Sequence, residues 1–212
     1  MAKYTPVIED TKGKAIVTPK GSAMWVRIKE PLTEYDPDGQ YLAKVVLDPT
    51  TDDFKKFEDS LQKMLDSAVA EAKDKLSPAK AKTLVVKPVV ADEEGSDGEL
   101  TGNVVVNSKV KAIWKNNDGS VDNIKVPVHD VKGVEMKDFD KLIGNGSTIR
   151  LRVWAKPYYM AAFNQVGISY RLNKVQLIDL VEYASKGDDF NDETGGALQD
   201  DSGSFDETDG DF

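Results

Sequence analysis

Apolar positions along this chain follow two periods, and the switch between them marks out the elements. Ala23 to Lys29 alternates at period two, the pattern of a strand with one buried face. Met24, Val26 and Ile28 take one face and Trp25, Arg27 and Lys29 the other, within a first strand region over residues 14–29. The breakers Pro31, Pro37, Asp38 and Gly39 follow, and Tyr41 to Leu47 is the next strand. Phe54, Phe57, Leu61, Met64, Leu65, Ala68, Ala72 and Leu76 then recur at three- and four-residue steps. That stripe predicts one long helix packed on the sheet. Thr50 or Thr51 caps it, Asp52 and Asp53 suit its positive N-terminal end, and Ser77-Pro78 stops it.

Period two returns further along. Residues 91–103 are acidic and contain glycine, which predicts a loop. Val104 to Trp114 is strand-like, Asn117-Asp118-Gly119 is a hairpin signal, and Asn123 to Val128 is the returning strand. Gly144-Asn145-Gly146 breaks the chain again. Thr148 to Tyr158 is the clearest strand, and Gly167 to Val181 is the last. Mainly β with one long α-helix, this set fits an OB-fold, a five- to six-stranded Greek-key barrel.

Charge changes the picture. The 212 residues carry a net charge of -9, which argues against a polyanionic ligand. The distribution reverses that argument. Residues 187–212 hold ten carboxylates and no Lys or Arg; setting them aside leaves 27 acids against 28 bases in residues 1–186. The expected organisation is therefore a near-neutral domain over 1–186 and a disordered acidic tail over 187–212.

Candidate chemistry concentrates on one strand face. Ile149, Leu151, Val153 and Ala155 point to a core, while Arg150, Arg152, Trp154, Lys156 and Tyr158 point the other way. Cations and flat rings without an acid are what a single-stranded nucleic acid needs, for its phosphates and its unstacked bases. A solvated strand face with the Trp in a minor core or a dimer contact is the plainer alternative. Trp25, Arg27 and Lys29 repeat the pattern, and Lys109, Lys111 and Lys115 share a parity on a third strand. Trp114 has the opposite parity and could be core. Whether these strands adjoin is not decided by the pattern.

Catalysis finds little footing. There is no cysteine, one histidine (His129), no paired carboxylates and no phosphate-binding glycine loop ahead of a helix. No cofactor, no metal and no enzymatic activity are expected. No stretch is apolar enough to span a membrane, and the start lacks a secretory core. The tail is punctuated by Phe190, Phe205 and Phe212, which a purely solubilising segment does not need. Such a chain can dock in a partner's basic-rimmed pocket or lie in the protein's own basic groove.

Several stretches together resemble the single-stranded DNA-binding proteins of T7-like podophages. They are Met1-Ala2-Lys3, Lys44-Val45-Val46-Leu47 into the long helix, and Val128-His129-Asp130-Val131-Lys132-Gly133. Gly144-Asn145-Gly146-Ser147 through Lys156-Pro157-Tyr158 to Val175-Gln176-Leu177-Ile178 is the closest stretch, and Gly210-Asp211-Phe212 ends the tail. The resemblance implies an OB-fold homodimer that binds single-stranded DNA with little sequence preference. Its work would lie in phage DNA replication, recombination and repair, in the host cell cytoplasm. It implies that the tail, through Asp206, Glu207, Asp209, Asp211 and Phe212, docks on the phage DNA polymerase and primase-helicase and competes with DNA for the groove. Tyr158 matches the family's base-stacking tyrosine, Lys109 and Lys111 fall in its basic strand, and Lys3 matches a basic N-terminal position. Gln40 stands near a place where the family has an arginine, and Trp154 where a plainer residue is usual. The rival expectation is a phage scaffold or protein-interaction module without a nucleic-acid ligand.

Overall fold

Alternating strands with one apolar face can hide that face by closing on themselves, and five strands of this chain do so. The computed structural model describes residues 6–34, 36–116 and 118–182. Lys3, the expected domain boundary at 186/187 and the whole acidic tail lie outside the described residues. Strands β2 (Gly21–Leu32), β3 (Gln40–Leu47), β6 (Leu100–Lys111), β10 (Thr148–Met160) and β11 (Gln165–Asp179) form the barrel. Their order is β10-β2-β3-β6-β11, and β11 pairs back onto β10. Every contact in that ring is antiparallel except β6 with β11, which is parallel. The order is OB-like, and the ring closes through short contacts: two residue pairs between β2 and β10 and one between β6 and β11.

The inward face is the apolar half of each alternation. Ala43, Val45, Val106, Ile149, Leu151, Val153 and Ala155 are fully buried. Helix α1 (Asp52–Lys75) joins β3 to the later strands and lays Phe54, Phe57, Leu61, Met64, Leu65, Ala68 and Ala72 against the sheet. Burial of each large side chain contributes about 1.5–3 kcal/mol. Thr51 is the N-cap; its hydroxyl accepts from the Phe54 amide at 3.3 Å. Ser77-Pro78 ends α1 as expected and also begins a short helix, α2 (Pro78–Lys82). No helix among the described residues is long and apolar enough to cross a membrane.

Four expectations need correction. The first strand region is two strands, β1 (Lys14–Val17) and β2, both at the same edge of β10. Between them Thr18 is buried, because its amide donates to the Leu151 carbonyl (2.9 Å) and its hydroxyl accepts from the Leu151 amide (3.0 Å). Within β2 the register against β3 slips between Met24 and Arg27, and Trp25 has φ 53. This bulge reverses the parity: Ala23 faces the core before it, Val26 and Ile28 after it, and Met24 does not join them.

The third correction concerns residues 91–103, which are no simple loop. Ala91–Glu94 is an edge strand, β5, paired with an early start of β6. Glu93 accepts from Thr101 (2.6 Å) and Asn103 (3.0 Å), so an acidic composition suits a solvent-facing edge. Fourth, Val104 to Trp114 breaks at Ala112, giving a separate hairpin of β7 (Ile113–Lys115) and β8 (Val121–Asn123). Short strands β4 (Val85–Val86) and β9 (Val128–His129) run parallel beside β11.

Candidate nucleic-acid interface

The outer face of β10 is continuous. Ile149, Leu151, Val153, Ala155 and Pro157 are buried, and between them Arg150, Arg152, Trp154, Lys156 and Tyr158 point outward. Same-face neighbours on a strand stand about 7 Å apart, so these five form a ladder of cations and rings along one edge-to-edge path.

Pairing carries that path across the barrel. Trp154 lies opposite Arg171 on β11, Arg171 beside Lys109 on β6, Lys109 opposite Leu42 on β3, and Leu42 opposite Arg27 on β2. A single register row thus unites Arg27, Lys109 and Trp154, three expected site residues from three separate strands. Among the described residues Arg27, Lys109, Arg150, Arg152, Lys156 and Arg171 form no ion pair with a carboxylate. Their charge is available to an outside anion. Trp25 flanks the row. It is 62% exposed, the Lys44 ammonium sits 5.9 Å from its ring centroid, and its amide donates to Asn145 Oδ1 at 2.8 Å. That bond helps hold a bulky residue in the left-handed region, a strain of about 1–3 kcal/mol of the kind stored at binding sites.

Beside the row lies a cleft of about 350 Å³ lined by Val110, Ile124, Lys125, Pro127, Trp154, Arg171, Leu172 and Asn173. Trp154 is 44% exposed, and a Cβ placed on Gly13 would come within 2.5 Å of its indole nitrogen. The indole therefore rests on bare backbone with the rest of the ring presented outward. Across Arg171 stands Trp114, 48% exposed and 5.3 Å from the guanidinium. Trp114 is thus no core residue, because the break at Ala112 moves it off β6 onto β7. Further along β10, Tyr158 is half-buried against Gly167, and its hydroxyl accepts from Gln165 Nε2 at 3.0 Å.

Some expected residues do not join the row. The Lys29 ammonium donates to the Asp140 carbonyl at 2.6 Å, and the β2–β3 register slips again past Arg27. Lys111 is 3.3 Å from the Asp36 carboxylate, whose pKa is held below the ordinary carboxylate range by the Asp38 amide and by Lys111 itself. Lys115 is likewise held by Asp38 at 2.8 Å. Lys3, Asp206, Glu207, Asp209, Asp211 and Phe212 lie outside the described residues. Conversely, sequence reasoning missed Lys44, Trp114, Lys125 and Arg171. Arg171 was accessible in principle, since it alternates with Tyr170 and Leu172; Trp114 and Lys125 depend on the β6 break. Among the described residues no group of three His, Cys, Asp or Glu side chains could hold a metal ion.

Comparison with known proteins bears on the fold and the family. The fold is similar to the crystal structure of gp2.5, the single-stranded DNA-binding protein encoded by bacteriophage T7. The TM-score is 0.63 at 21% identity, over 85% of this chain and 94% of that one. The single-stranded DNA-binding protein of bacteriophage Enc34 in complex with ssDNA is a more distant match, at a TM-score of 0.48 and 12% identity over 86% of this chain and 98% of that one. A search of curated proteins finds no significant match. Residues 27–180 match the family described as single-stranded DNA-binding protein, bacteriophage T7, a span that runs from Arg27 through the end of β11. The chain therefore belongs to that family of phage single-stranded DNA-binding proteins, whose work is binding and not catalysis.

Proposed function

We propose that this protein binds single-stranded DNA with little sequence preference across the outer face of β10, β11, β6 and β2, and serves phage DNA replication, recombination and repair in the host cell cytoplasm. The observation that carries the reading is the register row Trp154, Arg171, Lys109 and Arg27, in which the cations have no carboxylate partner among the described residues and stand beside half-exposed rings. Arginine and lysine follow the phosphates, and Trp154, Trp114, Trp25 and Tyr158 take the bases by stacking, which every base can do. In the same reading residues 1–186 are the binding domain and 187–212 a separate acidic tail. The tail segment Asp206, Glu207, Asp209, Asp211 and Phe212 recruits the phage DNA polymerase and primase-helicase, Lys3 adds a basic contact, and the protein works as a homodimer.

Titration of the full chain with oligo-dT, followed by tryptophan fluorescence, tests the binding. Quenching is expected, with a salt dependence of about -0.7 in log–log slope per phosphate contacted. Trp154→Ala is expected to weaken binding by about 1–3 kcal/mol, the worth of one stacked base. Absence of quenching at low salt would instead favour a protein-interaction role for the exposed rings.

A further inference from the structure

At the far end of the β10 ladder from Tyr158 lies a second, smaller concavity. It measures about 160 Å³, and Arg150, Arg152, Lys174, His129, Gly133 and Gln176 line it together with Val17 and Val175. Strands β9, β10 and β11 carry its polar lining. Arg152 and Lys174 are register partners on β10 and β11, as are Arg150 and Gln176, and His129 on β9 lies beside Gln176. Gln176 Nε2 is already committed, donating to the carbonyls of Asp130 (3.1 Å) and Val131 (3.2 Å), which fixes the wall that carries His129.

The charges in this concavity have nothing of opposite sign. Among the described residues Arg150, Arg152 and Lys174 pair with no carboxylate. The Lys174 ammonium has His129 Nε2 as its neighbour at 3.4 Å. The nearby Asp130 carboxylate accepts from the amides of Lys132 and Val134 instead. Two nitrogens of the lining residues, Arg150 Nε and His129 Nδ1, are buried without a hydrogen-bond partner among the described residues. Burial closes these two atoms off, so an oxyanion here would be held by the other guanidinium nitrogens of Arg150 and Arg152 and by the Lys174 ammonium, which lack a carboxylate partner among the described residues.

We propose that this concavity is a discrete oxyanion subsite that takes a phosphodiester of the bound strand, one rung beyond the base on Trp154. The inference rests on the single-stranded DNA reading above. Arg152 stands about 7 Å from Trp154 along the same face, so one extended strand reaches both. The Trp154 row supplies rings and long-range charge, whereas this pocket supplies converging donors. The strand is therefore anchored at one phosphate and tolerant of sequence elsewhere.

The test is a salt series of oligo-dT titrations on the full chain carrying Arg152→Gln and Lys174→Gln together, with Lys73→Gln on the exposed side of α1 as a control for the loss of a cation. Circular dichroism confirms that each variant is folded. Each single variant is measured too, so that a misfolded pair does not stop the comparison. The expected result is a salt slope shallower by about 0.7, one phosphate, with affinity at low salt about tenfold weaker. The maximal tryptophan quench should be unchanged, since the rings still stack. The control should keep the wild-type slope. An unchanged slope and affinity in the pocket variants, while wild type still quenches, overturns the subsite and leaves the DNA reading standing. Equal loss in the control reduces the effect to net charge and also overturns it. Tighter DNA binding by the pocket variants would assign the pocket to the protein's own carboxylates and refute it as well. No quench in wild type would instead fail the underlying reading.

Discussion

At the scale of single residues, two rings on β10 are set by glycines that a strand pattern does not mark as functional. A Cβ on Gly167 would stand 2.7 Å from the Tyr158 hydroxyl oxygen and 2.9 Å from Cζ, so the ring lies directly on the β11 backbone. Gly167→Ala must push it off that seat. The expected result is a loss of oligo-dT affinity matching that of Tyr158→Ala, about 1–3 kcal/mol, in a protein that remains folded. Wild-type affinity in Gly167→Ala alongside weak binding in Tyr158→Ala would show that the ring finds its pose without this contact. Pro157-Tyr158 was legible in the sequence because the residue itself is the signal. Gly167 was not, because its role exists only through the pairing of Tyr158 with a residue nine positions on. Trp25 was legible as an outward ring, yet the bulge that turns it out was invisible, since Met24, Val26 and Ile28 alternate as though the strand were regular.

Elements were legible where burial enforces a period, and illegible where the sheet edge relaxes it. Helix α1 and strands β3, β10 and β11 each hide one apolar face, so their residues had to alternate. β5 hides almost nothing, and its acids are free to mimic a loop. The segment ahead of β1 is a comparable case, held by one helix side chain and not by a pattern of its own. Glu71, with a side chain 9% exposed, accepts from the amides of Asp10 and Thr11 at 2.8 Å, from Glu9, and from Lys75 at 2.9 Å. Burial alone would raise its pKa; the Asp10 amide, Lys75 and the remaining amides outweigh burial and hold it well below the ordinary 4.5. A depressed carboxyl contributes stability above its unfolded pKa and loses it as pH falls toward the folded value. Glu71→Gln should therefore cost about 1–2 kcal/mol near neutrality, with the gap from wild type closing as the pH is taken below about 4.5 in thermal melts. Because this clamp leads directly to Gly13 beneath Trp154, the variant should also loosen the indole and broaden its fluorescence. A gap that stays constant into acid would remove the carboxylate from the account.

For the whole molecule the deciding quantity is where the charge sits, since the net value of -9 hides a body of 28 bases and 27 acids from a 26-residue segment with ten carboxylates and no base. Among the described residues Arg27, Lys109, Arg150, Arg152, Lys156 and Arg171 pair with no carboxylate and share one face, so in the reading proposed above a polyanion on the same chain competes for that face. Tethering sets its local concentration on the order of millimolar, enough to occupy a weak site most of the time. Deleting residues 187–212 should then tighten oligo-dT binding severalfold at low salt, where both polyanions feel the same groove. The advantage should shrink as ionic strength rises, because at about 0.1 M salt charges are screened beyond about 10 Å and the tail's hold on the groove weakens first. Mere removal of a repelling charge would also tighten binding, so the sharper comparison adds the excised segment back as a free peptide. Competition predicts that millimolar peptide restores the full-length affinity, whereas general repulsion predicts that salt-matched peptide does nothing. Equal affinities for the full and truncated chains at low salt would end the self-masking idea.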